Sequence, residues 1–269
     1  MAIHPLKFKF LRTEAHEISS SEDQTFKEST VQGRVQAPSS HHQALSNIPT
    51  QETLRQVFQA VNAETCPAHY NFHMHTVKSD GRLQPEQLID QAIHLGLKGL
   101  AITDHHTLAG YQAAHHYLES WKTDNPEHQA VAPVLWSGIE ISAGLLGTEV
   151  HILGYAFDPD SVALRPYLQR QTVGGDAYAA KQVIAAIHQA GGLAVLAHPA
   201  RYRVPHTQLI PEAARLDIDG AEVYYNYHNK KPWLPTPGTT EAVKQLAEAH
   251  QLLPTCGTDT HGQNLLLRV

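Results

Sequence analysis

The stretch Asn71-Phe72-His73-Met74-His75-Thr76-Val77-Lys78-Ser79-Asp80-Gly81 (NFHMHTVKSDG) sets two imidazoles on alternate residues and a carboxylate five residues after the second. In a strand over 70–74, alternation puts His73 and His75 on one face, where both can approach a single ion. The Ser79-Asp80-Gly81 turn then carries a carboxylate toward the same place. A lone His-x-His also suits a strand that is merely rich in histidine. What decides between the two is whether other parts of the chain deliver the same residue types to the same rim.

Five further segments do so: Thr103-Asp104-His105, Gly138-Ile139-Glu140, Val150-His151-Ile152, Ala197-His198-Pro199 and Gly257-Thr258-Asp259-Thr260-His261. Periodicity predicts strands over 70–74, 98–103, 133–141, 149–156, 193–197, 220–225 and 252–258. Helices are predicted over 85–95, 108–122, 175–190, 208–216 and 239–250. Pro85 opens the first of these, Leu88, Ile89, Ala92 and Ile93 share its face, and Gly96 stops it. Gly144-Leu145-Leu146-Gly147 reads as a turn between two β-rich runs. Such alternation argues for an α/β fold with mostly parallel strands, open or closed. His73 and His75, Asp104 and His105, Glu140, His198, and Asp259 and His261 fall at or just beyond strand C-termini. In a β/α barrel those ends converge on one active-site rim.

In this order and with these flanks, the series resembles the PHP (polymerase and histidinol phosphatase) superfamily of metal-dependent phosphoesterases, over roughly residues 68–264. The resemblance implies a distorted seven-stranded β/α barrel holding two or three divalent ions. It assigns His73, His75, Glu140 and Asp259 to one ion, and a bridging Glu140 with His151 and His198 to a second. Asp80, His105 and His261 would hold the third. Mixed imidazole and carboxylate ligation suits Mn²⁺, Zn²⁺ or Fe²⁺ rather than calcium. The implied chemistry is in-line attack on a phosphate ester by a metal-bound hydroxide, with no serine or cysteine nucleophile.

Around this set, Asp104 either orients the adjacent His105 or caps the following helix. Arg201, in His198-Pro199-Ala200-Arg201-Tyr202, is a candidate to hold the substrate phosphate bidentately. Tyr224, Tyr225, Tyr227 and His228 follow a strand end and either stack on a base or belong to a surface loop. His115 and His116 lie in a predicted helix without a partner motif, and Cys256 reads as a small buried side chain.

Histidinol-phosphate phosphatases carry histidine where Asp80 stands, whereas Ser79-Asp80-Gly81 is similar to stand-alone phosphoesterases acting on nucleotides or RNA ends. His198-Pro199-Ala200-Arg201-Tyr202 and Val150-His151-Ile152-Leu153-Gly154 point to the nucleoside-bisphosphate phosphatase and 5′-exoribonuclease subgroup. That subgroup inserts an arginine-bearing helical segment between the motifs containing His151 and His198. Here 46 residues intervene, with Arg165, Arg170 and Lys181 the only basic ones. The expected substrate is a small phosphomonoester such as a nucleotide. The alternatives are a 5′-directed exonuclease on short RNA or DNA, and a metal-stabilised regulatory module without turnover.

Composition sets the outer bounds. The net charge of −6 gives no global attraction to nucleic acid or an anionic membrane, so no stable complex with either is expected. Twenty histidines match the lysines and arginines combined, which raises the prior for metal. Two cysteines are too few for a disulfide framework or a thiolate zinc site. Without an apolar leader or a membrane-spanning run, the cytoplasm is the expected location. Residues 1–48 read as a disordered polar extension and 49–67 as a short amphipathic helix and linker, capped by Thr50 with Leu54, Val57, Phe58 and Val61 on one face. The catalytic domain is expected over 68–269.

Overall fold

A computed structural model describes residues 49–269; the extension predicted over 1–48 lies outside the described residues. The strands β1 (Tyr70–Asn71), β2 (Gly99–Ala101) and β3 (Val134–Trp136) pair in parallel as one sheet. A second sheet runs β4 (Gly138–Leu145), β5 (Thr148–Tyr155), β6 (Leu193–Leu196), β7 (Gly220–Tyr224) and β8 (Leu253–Cys256) in that spatial order. There β4–β5 and β5–β6 are antiparallel, while β6, β7 and β8 are mutually parallel. The β4–β5 hairpin turns through Leu146 and Gly147, both at positive φ (50° and 74°), as a two-residue turn of matching twist requires.

The α/β class stands, but among the described residues eight strands in two sheets replace the expected ring of seven. The reason lies at Ser137, inside what reads as one strand over 133–141. Its hydroxyl donates to the Phe157 carbonyl at 2.7 Å, and its own carbonyl accepts from the Ala156 N–H at 3.0 Å. Those bonds turn the chain, so that 134–136 and 138–145 join different sheets. Single bridges, Met74 to Thr260 and His105 to Glu140, stitch the sheets on both flanks without a continuous ladder.

Each sheet has its own apolar layer. Helices α2 (Pro85–Leu95) and α3 (Ala109–Asp124) bury Leu88, Ile89, Ala114 and Leu118 with Leu100 and Leu135 of the first sheet. Helices α4 (Ala180–Gln189), α5 (His206–Arg215) and α6 (Pro237–Ala249) cover the second, with Val183, Ile187, Leu209 and Val243 in its core. The predicted helix over 175–190 begins late: Gly175–Tyr178 is a 3₁₀ turn and α4 starts at Ala180. Helix α1 (Gln51–Ala60), capped by Thr50, puts Leu54 and Phe58 into that same core. Phe58 meets Phe72 edge-on at 5.0 Å, and each such buried side chain contributes roughly 1.5–3 kcal/mol.

Two contacts draw β8 against the start of the domain. Cys256 is buried as expected, yet it is bonded to Cys66, a disulfide that ties the α1–β1 connection to the last strand. One residue on, Gly257 packs so closely on His73 that any Cβ there would collide with the histidine's own Cβ and backbone. The absence of a side chain at Gly257 therefore lets Asp259 reach the His73–His75 face.

Candidate metal centre

The candidate segments converge through backbone bonds, but Glu140, expected at a strand C-terminus, is the third residue of β4 because that strand begins at Gly138, and His151 lies inside β5. Asp259 N–H donates to the His73 carbonyl at 2.8 Å, His75 N–H to the Thr260 carbonyl at 3.0 Å, and Glu140 N–H to the Asp104 carbonyl at 3.3 Å. Ala197 N–H closes the series on the His151 carbonyl at 3.1 Å. Two candidate ligand residues adopt left-handed backbone, His198 with φ 27° and Asp259 with φ 53°. Non-glycine residues hold such angles only where the surroundings enforce them.

Glu140 is the hinge of the arrangement. Its Oε2 lies 3.0 Å from His73 Nε2 and 3.0 Å from His75 Nε2. Its Oε1 lies 2.7 Å from His151 Nδ1 and 3.4 Å from His198 Nε2. Asp259 Oδ1 adds itself to the first side, 3.4 Å from His73 Nε2 and 3.3 Å from His75 Nε2. A third group stands toward solvent, where Asp80 Oδ2 is 3.1 Å from His261 Nε2 and 3.8 Å from His105 Nε2.

The donor atoms cluster as three sets able to hold an ion: His73, His75, Glu140 and Asp259; His75, Asp80, His105 and His261; and His105, Glu140 and His151. The first matches the set that the family resemblance assigns. The second adds His75 to the expected trio. The third brings His105 beside Glu140 and His151, with His198 at their edge rather than among them. Donor chemistry fits divalent transition ions, and so does one further observation. His75 Nδ1, His75 Nε2 and His198 Nδ1 are buried without a hydrogen-bond partner, a state that buried polar atoms seldom tolerate. The carboxylates near His75 stand at ion-pair distance but out of hydrogen-bond alignment.

The protonation balance reflects this crowding. Burial works to lower the His73 pKa, but Glu222, Glu140 and Asp259 outweigh it and hold the ring well above its ordinary value. Burial opposes His75 likewise, and Asp259 and Glu140 raise it to about 9. Conversely, burial works to raise Glu140 and Asp259, yet His73 and its neighbouring imidazoles hold both well below the usual carboxylate range. His105, with burial as the leading cause, falls to about 4, and burial lowers His198 too.

Other predicted residues land differently. The Asp104 carboxylate does not hold His105: it accepts Thr76 N–H, Thr76 Oγ1–H and Ser79 Oγ–H, each at 2.7 Å, and so pins the loop that carries Asp80. Arg201 donates from Nη1 to Asp259 Oδ2 at 3.0 Å and to the Tyr225 hydroxyl at 2.9 Å, at the site's edge. Tyr224 is not at the site, because the β7–β8 register slips between Glu222 and Tyr224. A one-residue slip exchanges the two faces of a strand, so Tyr224 turns toward the Lys244 and Glu248 side and Tyr225 faces Asp259 of the candidate donor group. His228 is exposed on the loop after β7.

Arg268 and Glu222 escape a sequence reading, and Tyr225, expected to stack on a base or lie in a surface loop, instead holds a carboxylate of the candidate site. The Tyr225 hydroxyl, its pKa raised by burial and by Asp259, donates to Asp259 Oδ2 at 2.6 Å. Arg268 Nε donates to the same oxygen at 2.9 Å, and the Arg268 carbonyl accepts His261 N–H at 2.6 Å. Glu222, fully buried, contacts His73 Nδ1 at 3.0 Å. A charged residue inside an otherwise apolar strand was the only signal for Glu222, and nothing local marks Arg268.

Comparison with known proteins agrees with this geometry. The chain is similar to the 5′-3′ exoribonuclease Rnm of Salmonella typhimurium, 37% identical over 103 residues, 38% of this chain and 32% of that protein. It is also similar to a phosphoribosyl 1,2-cyclic phosphate 1,2-diphosphodiesterase of Eggerthella lenta, 36% identical over 96 residues, 35% of this chain and 33% of that one. The matches thus span about a third of these curated relatives. In fold, the chain resembles the crystal structure of a candidate metal-dependent phosphoesterase from Bifidobacterium adolescentis, with a TM-score of 0.58 and 24% identity over 73% of this chain and 89% of that one. The PHP domain model matches residues 71–229, more than half of the chain and most of the ligand segments, and the chain belongs to the PHP domain family.

Proposed function

We propose that the protein is a metal-dependent phosphoesterase that hydrolyses a small phosphomonoester such as a nucleotide. The observation that carries this reading is the division of Glu140, one oxygen toward His73 and His75 and the other toward His151 and His198. A carboxylate so placed can bridge two cations. His73, His75, Glu140 and Asp259 would hold the first ion, Glu140 and His151 with His198 or His105 the second, and Asp80, His105 and His261 the third. Mn²⁺, Zn²⁺ and Fe²⁺ suit these donors. Bound there, divalent ions would activate water and neutralise charge on the phosphoryl group.

The chain's own residues supply the rest. The Tyr225 hydroxyl and the guanidinium groups of Arg201 and Arg268 hold one oxygen of Asp259, leaving the other facing the imidazoles. The Arg201 side chain is 38% exposed, with donors free to meet an anionic substrate from the solvent side. Asp104 fixes the Thr76–Ser79 loop and with it the reach of Asp80.

The second reading, a 5′-directed exonuclease on short RNA or DNA, is favoured by the similarity to exoribonuclease Rnm. The net charge of −6 opposes extended nucleic-acid contact. The proposed domain covers 68–269, with α1 (Gln51–Ala60) of the helix-and-linker segment 49–67 as its brace, and the isolated bridges between the two sheets are the observation in favour of the family's distorted barrel. As to location, no described helix is long and apolar enough to cross a membrane. The Cys66–Cys256 bond is of a kind that persists in oxidising compartments, so a count of free thiols in protein trapped at lysis tests the proposed cytoplasmic site.

The deciding experiment measures metal content per chain alongside hydrolysis of a phosphomonoester, a phosphodiester and a 5′-phosphorylated oligonucleotide. Tightly held ions with ion-dependent monoester turnover support the proposal, and turnover confined to the oligonucleotide supports the second reading. No bound ion after reconstitution with Mn²⁺, Zn²⁺ and Fe²⁺ would overturn both.

A further inference from the structure

Glu222 sits at the middle of β7 between Ala221 and Val223, with no exposed surface. A carboxylate in such a place is costly, and an apolar residue of similar size would commonly stabilise the strand as well or better. Both its oxygens are committed. Oε1 lies 3.0 Å from His73 Nδ1, and Oε2 accepts the backbone N–H of His198 at 2.8 Å. These partners belong to segments 125 residues apart (198 − 73), at the ends of two different sheets.

We propose that Glu222 is a positioning residue that prepares two metal ligands at once, fixing the His73 tautomer through Oε1 and the His198 backbone through Oε2. The inference rests on the metal-centre reading above. A carboxylate at Nδ1 holds the imidazole proton there, which leaves the Nε2 lone pair directed at the side occupied by Glu140 Oε2 and Asp259 Oδ1. The second oxygen acts on a residue whose φ of 27° is unfavourable for any side-chain-bearing residue. By accepting that N–H, Glu222 holds His198 in the conformation that points its ring at Glu140 Oε1, 3.4 Å away. One side chain thereby sets the direction of a ligand on each side of the bridging carboxylate.

Glutamine in its place cannot serve both partners. If its amide oxygen faces His73, its NH₂ opposes the His198 N–H, donor against donor. If the oxygen faces His198, its NH₂ donates to His73 Nδ1, and the ring proton moves to Nε2, the nitrogen needed for the ion. The side-chain volume is unchanged, so packing is preserved while the hydrogen-bond logic is broken.

The test compares wild type and Glu222→Gln by competitive Zn²⁺ titration, and reads the His73 ring by ¹⁵N NMR in the Zn²⁺-loaded wild type. The expected result is a Nδ1-protonated His73 in wild type and a loss of Zn²⁺ affinity of roughly 10–100-fold in the variant, the range for losing an outer partner of a ligating histidine. A wild-type His73 protonated at Nε2, or a variant that binds Zn²⁺ as wild type does, would overturn the inference. The tautomer measurement requires no variant, so a misfolded Glu222→Gln leaves the inference open to refutation. Failure of wild type to bind Zn²⁺ would instead strike the metal-centre reading itself.

Discussion

The floor and the rim of the centre are built from the same residue types and behave as different materials. On the floor, His73 and His75 have fully buried side chains, with Glu140 at 1% and Asp259 at 3% exposure. On the rim, Asp80 is 52% exposed, His105 25% and His261 21%. In the low-dielectric floor a charge without its counter-charge is strongly disfavoured, so the floor groups stand or fall together. Rim groups can exchange protein partners for water at little cost. An ion held by the floor should therefore be integral to the structure, and one held by the rim exchangeable. Chelation is expected to strip the rim first.

The largest expected effect breaks the floor at its shared residue. Glu140→Gln keeps the shape but removes the charge that both sides use, and turnover should fall well beyond the ~100-fold that loss of a mere outer partner brings. Metal content per chain should fall by more than one ion. Near-normal turnover would refute the bridging role.

A paired substitution then sharpens the contrast. Asp259→Asn removes a buried carboxylate whose second oxygen already receives Arg201, Tyr225 and Arg268, leaving those donors facing a neutral amide. Asp80→Asn removes a half-exposed carboxylate at a loop. The first should lower thermal stability and metal binding together, the buried imbalance alone costing about 3–5 kcal/mol. The second should lower occupancy by one ion with little change in the melting temperature. Equal damage from both would collapse the distinction between floor and rim.

The candidate donor residues were legible in the sequence because each lies in a short stretch that resembles a family motif, even where, as for Glu140 and His151, the stretch is not a strand end. The sheet topology was not, because Ser137 breaks a strand through contacts to Phe157 and Ala156 that apolar periodicity does not register. The same limit explains Tyr224 and Tyr225, whose facing depends on a register slip in pairing with β8. Glu222, Arg268 and the Cys66–Cys256 pair act through partners more distant still, His73 for the first and residues 190 apart for the last. Arg268 lies close in sequence to Asp259 and His261, yet it reaches them only because the segment after His261 folds back on itself.

A smaller effect follows from pH in the metal-stripped protein. The folded pKa of His75, about 9, lies above the ordinary 6.5, and that of His73 is raised too. The stability they contribute is fully present below about 6.5 and is lost as pH rises, for His75 through about 9. Glu140 and Asp259 are shifted down, so their contribution is present above the ordinary carboxylate range and lost as pH falls. His105, lowered to about 4, adds a further loss as pH falls from 6.5 toward that value. The stability of stripped protein should therefore peak near neutral pH and decline toward pH 9, by about 3 kcal/mol at most for His75, and its melting temperature should follow. Zn²⁺ should remove the alkaline decline, since a cation then does what the proton did, and its uptake should release protons below pH 9. A stripped protein equally stable from pH 6.5 to 9.5 would show that the floor carboxylates do not hold these imidazoles charged.

The smallest effect is expected where a histidine has composition in its favour and geometry against it. His116 lies within α3, exposed, on a helix that packs Ala114 and Leu118 against the first sheet. It belongs to none of the three donor sets among the described residues, and its neighbour His115 has a ring contact with Tyr111, at 5.8 Å. Alanine has the higher helix propensity and no buried partner is lost, so His116→Ala should leave turnover and metal content within a few-fold of wild type and stability within about 0.5 kcal/mol. The comparison needs this control. If an exposed imidazole outside both floor and rim proved as damaging to metal content as Asp80→Asn, abundance of histidine rather than its placement in the donor sets would be what retains the ions. The division of the centre into a rigid floor and an exchangeable rim would then have no basis in the fold.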